Sequence, residues 1–293
     1  MKIGRLGLVV AVIGLICAAL AVAAPRPGLD TSYGQGGTLG IEPPAPSGYQ
    51  SVYLEDVAVA PDGAAYALGS ASPCPSPCGG SALLLYRYLP NGAVDRSFGG
   101  VGTVPLPGSL GTERVAVDGK GRALIVTASH GTLEVTRYSV SGRLDRSFGR
   151  GGTASLRGGG SFTRVLAAPK GRIVLVEGGG SKGGGGELEQ TNAHRVRLIR
   201  LLPNGRLDAG FGHKGAFEVD LPGGFDTGIS FTARGAILIG GTGCCGDPIT
   251  VTRITARGVL DTRFNATAER SLGRLGDFPA KAGFAPELRA VVP

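Results

Sequence analysis

Four arginines each precede an aspartate by eight residues: Arg87 and Asp95, Arg137 and Asp145, Arg200 and Asp208, Arg253 and Asp261. A turn between the two could fold the carboxylate back onto the guanidinium as a charge-assisted, bidentate pair. The carboxylate could instead accept from its own following backbone in an Asx-turn. Both are structural chemistries. The functional alternative is a ring of carboxylates around Ca²⁺, which needs several oxygens from one neighbourhood. Each Asp comes with an Arg in register, and that Arg opposes a bound cation. The spacing therefore points to architecture, and no metal ligand is expected.

Three residues after each Asp stands an aromatic: Phe98, Phe148, Phe211 and Phe264. A half copy, Leu29-Asp30-Thr31-Ser32-Tyr33-Gly34, supplies Tyr33. One aromatic per repeat at a fixed place reads as core between neighbouring units. A stacking platform for sugars is the functional alternative. Gly follows the aromatic in four copies. Asn265 replaces it in the last, and Asn also tolerates left-handed backbone geometry.

Other reactive side chains are sparse. The three histidines, His130, His194 and His213, have no Ser and Asp in a motif context, and GxSxG, HExxH and SxxK are absent. No catalytic residue and no cofactor is expected. A hydrolase or lyase assembled from distant residues is the alternative. Cys74, Cys78, Cys244 and Cys245 form an even set outside the N-terminal segment. In an oxidising compartment they predict two disulfides, with three connectivities open. These are local bonds (74–78 with a vicinal 244–245) or either of two arrangements bridging the loops. Zinc is disfavoured because CxxxC plus CC lacks the usual ligand spacing. The Gly-rich run Gly178 to Asn192 lacks the Gly-Lys-Ser/Thr of a phosphate loop and reads as a flexible linker.

The elements that must position these residues are short strands. Val57 to Gly63 runs into Ala64 to Leu68, Val115 to Gly121 into Arg122 to Val126, Val165 to Gly171 into Arg172 to Val176, and Ile229 to Gly235 into Ala236 to Ile239. Each is strand, Gly turn, strand. A third strand follows, as in Leu83 to Tyr88, Leu133 to Tyr138 and Ile249 to Ile254, the last two alternating as half-buried strands do. It ends on the motif arginine or one residue beyond. The turn glycines Gly92, Gly142, Gly205 and Gly258 come next, then the Asp-x-x-aromatic segment. A fourth strand is expected at Thr103 to Leu106, Thr153 to Leu156 and Ala216 to Val219.

The motif therefore recurs at roughly fifty to sixty residues, which means stacked or radial repeats. Four antiparallel strands per repeat is a propeller blade. The expected fold is all-β, a β-propeller-like array of about four full four-stranded repeats (51–107, 108–157, 158–221 and 222–272) with half repeats at 28–41 and 284–293. A β-solenoid is the rival. Leu288 to Pro293 resembles the start of a repeat, so the half repeats could complete one another's blade and close the ring; the alternative is an open array whose last hairpin is missing.

The stretches LPNGAVDRSFGGVGTV, VSGRLDRSFGRGGTA and LPNGRLDAGFGHKGAF resemble the delta-60 repeat family of bacterial exported proteins. The resemblance spans nearly all of 28–272 and weakens after Phe264. It implies a propeller-like fold and a secreted or cell-surface setting. It implies no activity and no ligand, and transfers no functional residue.

Residues 1–24 read as a signal peptide, with Lys2 and Arg5, an uncharged run from Gly7 to Leu20, and small residues at Ala21, Ala23 and Ala24. An uncleaved anchor over 6–24 is the rival, and the only membrane contact expected. The chain carries a formal charge of +8, but its basic residues are scattered rather than set in stripes with aromatics. That disfavours nucleic acid as a partner. The expectation is an exported, non-catalytic binding scaffold for a glycan or protein at the cell surface.

Overall fold

The computed structural model describes residues 30–41, 49–73, 82–107, 112–129, 131–157, 161–178, 193–222, 228–241, 250–264 and 269–271. Residues 1–24, expected as a leader, all five cysteines, His130, nearly all of the Gly-rich run and the segment 284–293 lie outside these residues.

The described chain is all-β. Its strands form four antiparallel sheets of four, each in chain order. The first holds β1 (Ser51–Val59), β2 (Ala65–Ser72), β3 (Ala82–Tyr88) and β4 (Thr103–Leu106). The second holds β5 (Thr112–Val117), β6 (Ala123–Ser129), β7 (Thr132–Tyr138) and β8 (Thr153–Arg157). The third holds β9 (Ser161–Ala168), β10 (Arg172–Gly178), β11 (Ala193–Leu201) and β12 (Ala216–Pro222). The fourth holds β13 (Ile229–Phe231), β14 (Ile237–Gly241), β15 (Thr250–Ile254) and β16 (Glu269–Ser271). The last strand is not foreshadowed by the motif, which fades after Phe264. It forms because β15 still offers Thr250 to Thr252 as a pairing edge.

The second strands β2, β10 and β14 are buried on both faces. That is why they are near-continuous apolar runs rather than alternating ones. Both faces of β10 are covered because the second and fourth sheets pack on either side of it. Tyr66, Leu85 and Phe98 of the first sheet share a core with Val115, Ile125 and Tyr138 of the second. Val126, Leu133 and Phe148 of the second meet Ile173, Leu175 and Ile199 of the third. Val174, Leu198 and Phe211 of the third meet Ile237, Ile239 and Ile254 of the fourth. Along one side, β1 lies against β5 and β5 against β9.

Among the described residues no sheet covers the other face of the first sheet. The N-terminal segment does so instead, with Leu39, Ile41 and Tyr49 packed on Ala67, Leu84, Tyr86 and Tyr88. Residues 30–38 repeat the local turn of the full motifs. The Tyr33 N–H donates to Asp30 as Phe98, Phe148, Phe211 and Phe264 donate to their aspartates. The half copy thus stands where a preceding repeat would stand.

Candidate functional site at the turn end of the sheets

Both the β1–β2 type of hairpin turn and the Arg–Asp motif lie at one end of each sheet, because the residues beside the hairpin glycine pair with the end of the third strand. In all four motifs the Asp N–H donates to the Arg carbonyl, at 2.8–3.0 Å. This backbone bond returns the aspartate to the arginine before any side chain is considered.

The carboxylate then divides its two oxygens. Asp145 Oδ2 accepts from Arg137 Nε at 2.9 Å, while Oδ1 accepts from the Ser147 N–H at 3.1 Å and hydroxyl at 2.6 Å. Asp208 accepts from Arg200 at 2.9 Å on one oxygen and from the Gly210 N–H at 3.2 Å on the other. Asp95 does the same with Arg87 and Ser97; Asp261 accepts from the Arg263 N–H and forms an ion pair with Arg253 Nε at 3.2 Å. The Arg pairing and the Asx-turn thus coexist. The bidentate fork is corrected, because the Asx-turn occupies the oxygen that a fork would need. Further charges join. Arg122 reaches Asp145 at 3.0 Å and Arg172 reaches Asp208 at 2.9 Å. The first sheet has Ala64 at that position, and there Asp62 meets Arg87 at 2.8 Å instead.

Phe98, Phe148 and Phe211 are fully buried, and Phe264 is half-buried. Arg137, Arg200 and Arg253 each lie over the aromatic of their own motif, at 4.5, 4.3 and 5.6 Å from the ring centre. The motif also reaches the next sheet. Arg137 Nη1 donates to the Pro203 carbonyl at 2.6 Å and Arg200 Nη1 to the Ala256 carbonyl at 2.5 Å. The glycine after each aromatic donates its N–H to the next motif turn: Gly34 to Asn91, Gly99 to Ser141, Gly149 to Asn204 and Gly212 to Arg257.

The electrostatics give a pH signature. Ser147 hydrogen bonding, aided by Arg137, holds the Asp145 carboxyl below its ordinary value of 3.8. Burial pushes Asp95 and Asp208 up. Hydrogen bonds from Ser97 and Arg87, and from Arg172 and Arg200, outweigh it and leave both lowered. A lowered folded-state value means that the unfolded chain binds protons first as pH falls. The stabilisation is therefore complete above the ordinary carboxylate range and is lost as pH drops through the folded values. The melting temperature should be flat near neutrality and fall below about pH 4. A melting series in pH checks this, and Asp208→Asn should flatten the acid limb.

Between the third and fourth sheets the same end opens into a cavity of ≈ 440 Å³. Val174 and Arg200 form one wall, Phe231 and Ile237 the other, and the turns carrying Lys170 and Arg234 reach it from the two hairpins. Arg172 also lines it. Lys170 holds a left-handed backbone, φ 62°, unusual for a residue with a side chain. Arg172 and Arg200 share the Asp208 carboxylate. Among the described residues, no acid pairs with Lys170 or Arg234. The cavity is apolar in its depth and cationic at its rim.

Sequence reading did not nominate Lys170, Arg172, Arg234 or Phe231. Alignment on the hairpin glycines would have shown part of the signal: Lys120, Lys170 and Arg234 occupy one column, where the first repeat has Asp62. His213 is exposed in a turn and His194 pairs with Leu221 in the β11–β12 ladder. Among the described residues no group of three or more His, Cys, Asp or Glu could hold a metal ion, and no helix is long and apolar enough to cross a membrane. No protein-family model matches the chain, and no curated protein matches it.

Proposed function

We propose that the chain is an exported, propeller-like repeat protein of the delta-60 type that works by binding rather than by catalysis. The observation that carries this reading is one docking contact repeated at four junctions. The backbone at Gly34, Gly99, Gly149 and Gly212 meets the turn glycines Gly92, Gly142, Gly205 and Gly258, so closely that a Cβ on the latter would fall 2.5–2.8 Å from the facing nitrogen. Recurrent reactive groups are consumed by that architecture. Arg, Asp and aromatic are committed to holding sheet on sheet, so the surface left for function is the part that varies between repeats.

The repeated docking of one four-stranded sheet on the next, with the first strands of the first three side by side, supports a radial array. On this reading residues 28–41 and 284–293 share a further blade. Loops carrying Cys74 and Cys78, and Cys244 and Cys245, then approach across the closure. Four exposed side chains of β1, Tyr53, Leu54, Val57 and Val59, are large and hydrophobic, with a single exposed acid, Glu55, among them. That favours a binding surface there, for a glycan or protein at the cell surface, over an acid–base centre.

Non-reducing peptide mass mapping of the exported protein tests the reading. We expect a mature N-terminus close to residue 25 and a disulfide joining one of Cys74 and Cys78 to one of Cys244 and Cys245. An uncleaved, unexported chain would overturn export. Local bonds or free thiols would remove this support for a closed ring and favour an open array. Saturable co-sedimentation of the mature protein with purified cell envelopes is the matching binding result, and absence of retention overturns binding at the cell surface.

A further inference from the structure

The cavity between the third and fourth sheets has a counterpart within the same chain that is already filled. Across β2 and β3, Tyr66 pairs with the motif arginine Arg87. Across β10 and β11, the residue paired with Arg200 is Val174. Both face the next sheet, as their shared cores with it show. In the first case the Tyr66 ring lies under the Arg87 guanidinium, 5.5 Å from its centre, and edge-on to Phe98 at 5.6 Å. Its hydroxyl donates to the Gly121 carbonyl on the next hairpin at 2.8 Å. In the second case the smaller Val174 leaves the space open, and Gly235, which aligns with Gly121, lines it. Phe231 adds an aromatic wall where the second sheet has Val117.

We propose that this cavity binds a small aromatic acid. Its ring takes the place that the Tyr66 ring holds between the first two sheets, and its carboxylate is held by Lys170 and Arg234. The ring lies against Val174, Phe231 and the Arg200 guanidinium, where a cation beside an aromatic face is favourable. The two rim cations supply charge-assisted donors that no protein acid takes up among the described residues. Arg172 and Arg200 are not spare, because Asp208 bonds both. They keep the wall in place, and with the one Asp208 carboxylate between them they leave a single net positive charge there. A volume near 440 Å³ accommodates a single-ring acid and falls in the range of small-molecule sites. The inference deepens the binding reading above and rests on it, but it does not need ring closure or export.

The test uses the full mature chain and 4-hydroxyphenylacetate, which reproduces the tyrosine ring and hydroxyl and adds the carboxylate. Saturation-transfer NMR with calorimetric titration should show saturable binding at one site. Inorganic phosphate, which has the charge without the ring, should not displace the probe. Val174→Tyr should abolish binding, since the chain then fills its own cavity as Tyr66 does. Arg234→Gln, at an exposed turn position, should weaken the acid about tenfold and leave 4-methylphenol binding unchanged. Absence of saturable binding would overturn the proposal. So would equal displacement by phosphate, or an unchanged affinity in Arg234→Gln. If Val174→Tyr does not fold, as its melting curve would show, the Arg234 variant decides alone. A chain that fails here yet shows the expected mass map and envelope retention keeps the scaffold reading and loses only the ligand class, so the two fail separately.

Discussion

Replacing Asp145 with alanine is expected to lower the unfolding free energy by about 3–5 kcal/mol, the cost of removing one partner of a buried ion pair. Asp145 receives Arg137, Arg122 and the Ser147 N–H and hydroxyl. The Arg137 side chain is 4% exposed, with the Phe148 ring against one side of it. Without the carboxylate that guanidinium keeps its bond to Pro203 but loses its ion pair; the nearby Asp118 is already paired with Arg122, and water cannot reach Arg137 well enough to compensate. Burial already pushes Arg137 below its ordinary value, so the pocket disfavours an unpaired charge. Asp30 is the internal control. It makes the same kind of bonds, to Ser32, but among the described residues no arginine pairs with it, and it is exposed. Asp30→Ala should therefore cost far less than Asp145→Ala. Urea denaturation of the two variants measures the difference, and elemental analysis should show no change in bound metal. An unchanged midpoint for Asp145→Ala would remove the ion pair from the list of what holds the sheets.

The strands and turns were legible because their signals are local. A hairpin glycine such as Gly121, φ 75°, sits where a side chain would be strained, and the apolar runs on either side are short and β-branched. The Arg–Asp spacing was legible for the same reason, since eight residues around a Gly turn bring the two together through one backbone bond. What the carboxylate does with its second oxygen depends on Ser147 or Gly210, and that oxygen decided against the bidentate fork. The cavity was not legible. It arises from Val174 standing where Tyr66 stands two sheets earlier, and from Phe231 arriving from the following sheet. Neither residue signals anything in its own neighbourhood. The role of the N-terminal half copy was half legible. Its motif identified it, but its place on the outer face of the first sheet depends on that face meeting no other described sheet.

Gly205→Ala should be the second costly change, and a neighbouring glycine separates its two causes. Gly205 has φ 82°, a conformation that any side chain resists by roughly 1–2 kcal/mol. Its Cβ would also lie 2.8 Å from the Gly149 nitrogen and 3.0 Å from the Phe148 ring, both belonging to the preceding sheet. The Gly149 N–H donates to Asn204 at 2.8 Å, so relieving the clash means breaking that bond and lifting the second sheet off the third. Losing that bond adds about 0.5–1.5 kcal/mol, since Gly149 is itself exposed. Gly171, in the same sheet, has φ 69°, but its Cβ would meet only Pro203 at 3.5 Å, an ordinary contact. Gly171→Ala thus bears the backbone cost alone. The gap between the two denaturation midpoints measures the docking of sheet on sheet. Hydrogen exchange at the Gly149 amide should speed up in Gly205→Ala and stay slow in Gly171→Ala. The next junction repeats the comparison: Gly258 faces the Gly212 nitrogen at 2.5 Å, whereas Gly235 faces only Ala256 at 3.7 Å. Equal losses within each pair would mean that the glycines serve their own turns and that the sheets are held by their apolar faces alone. Unequal losses at both junctions would make the turn glycine the element that sets the distance from one repeat to the next.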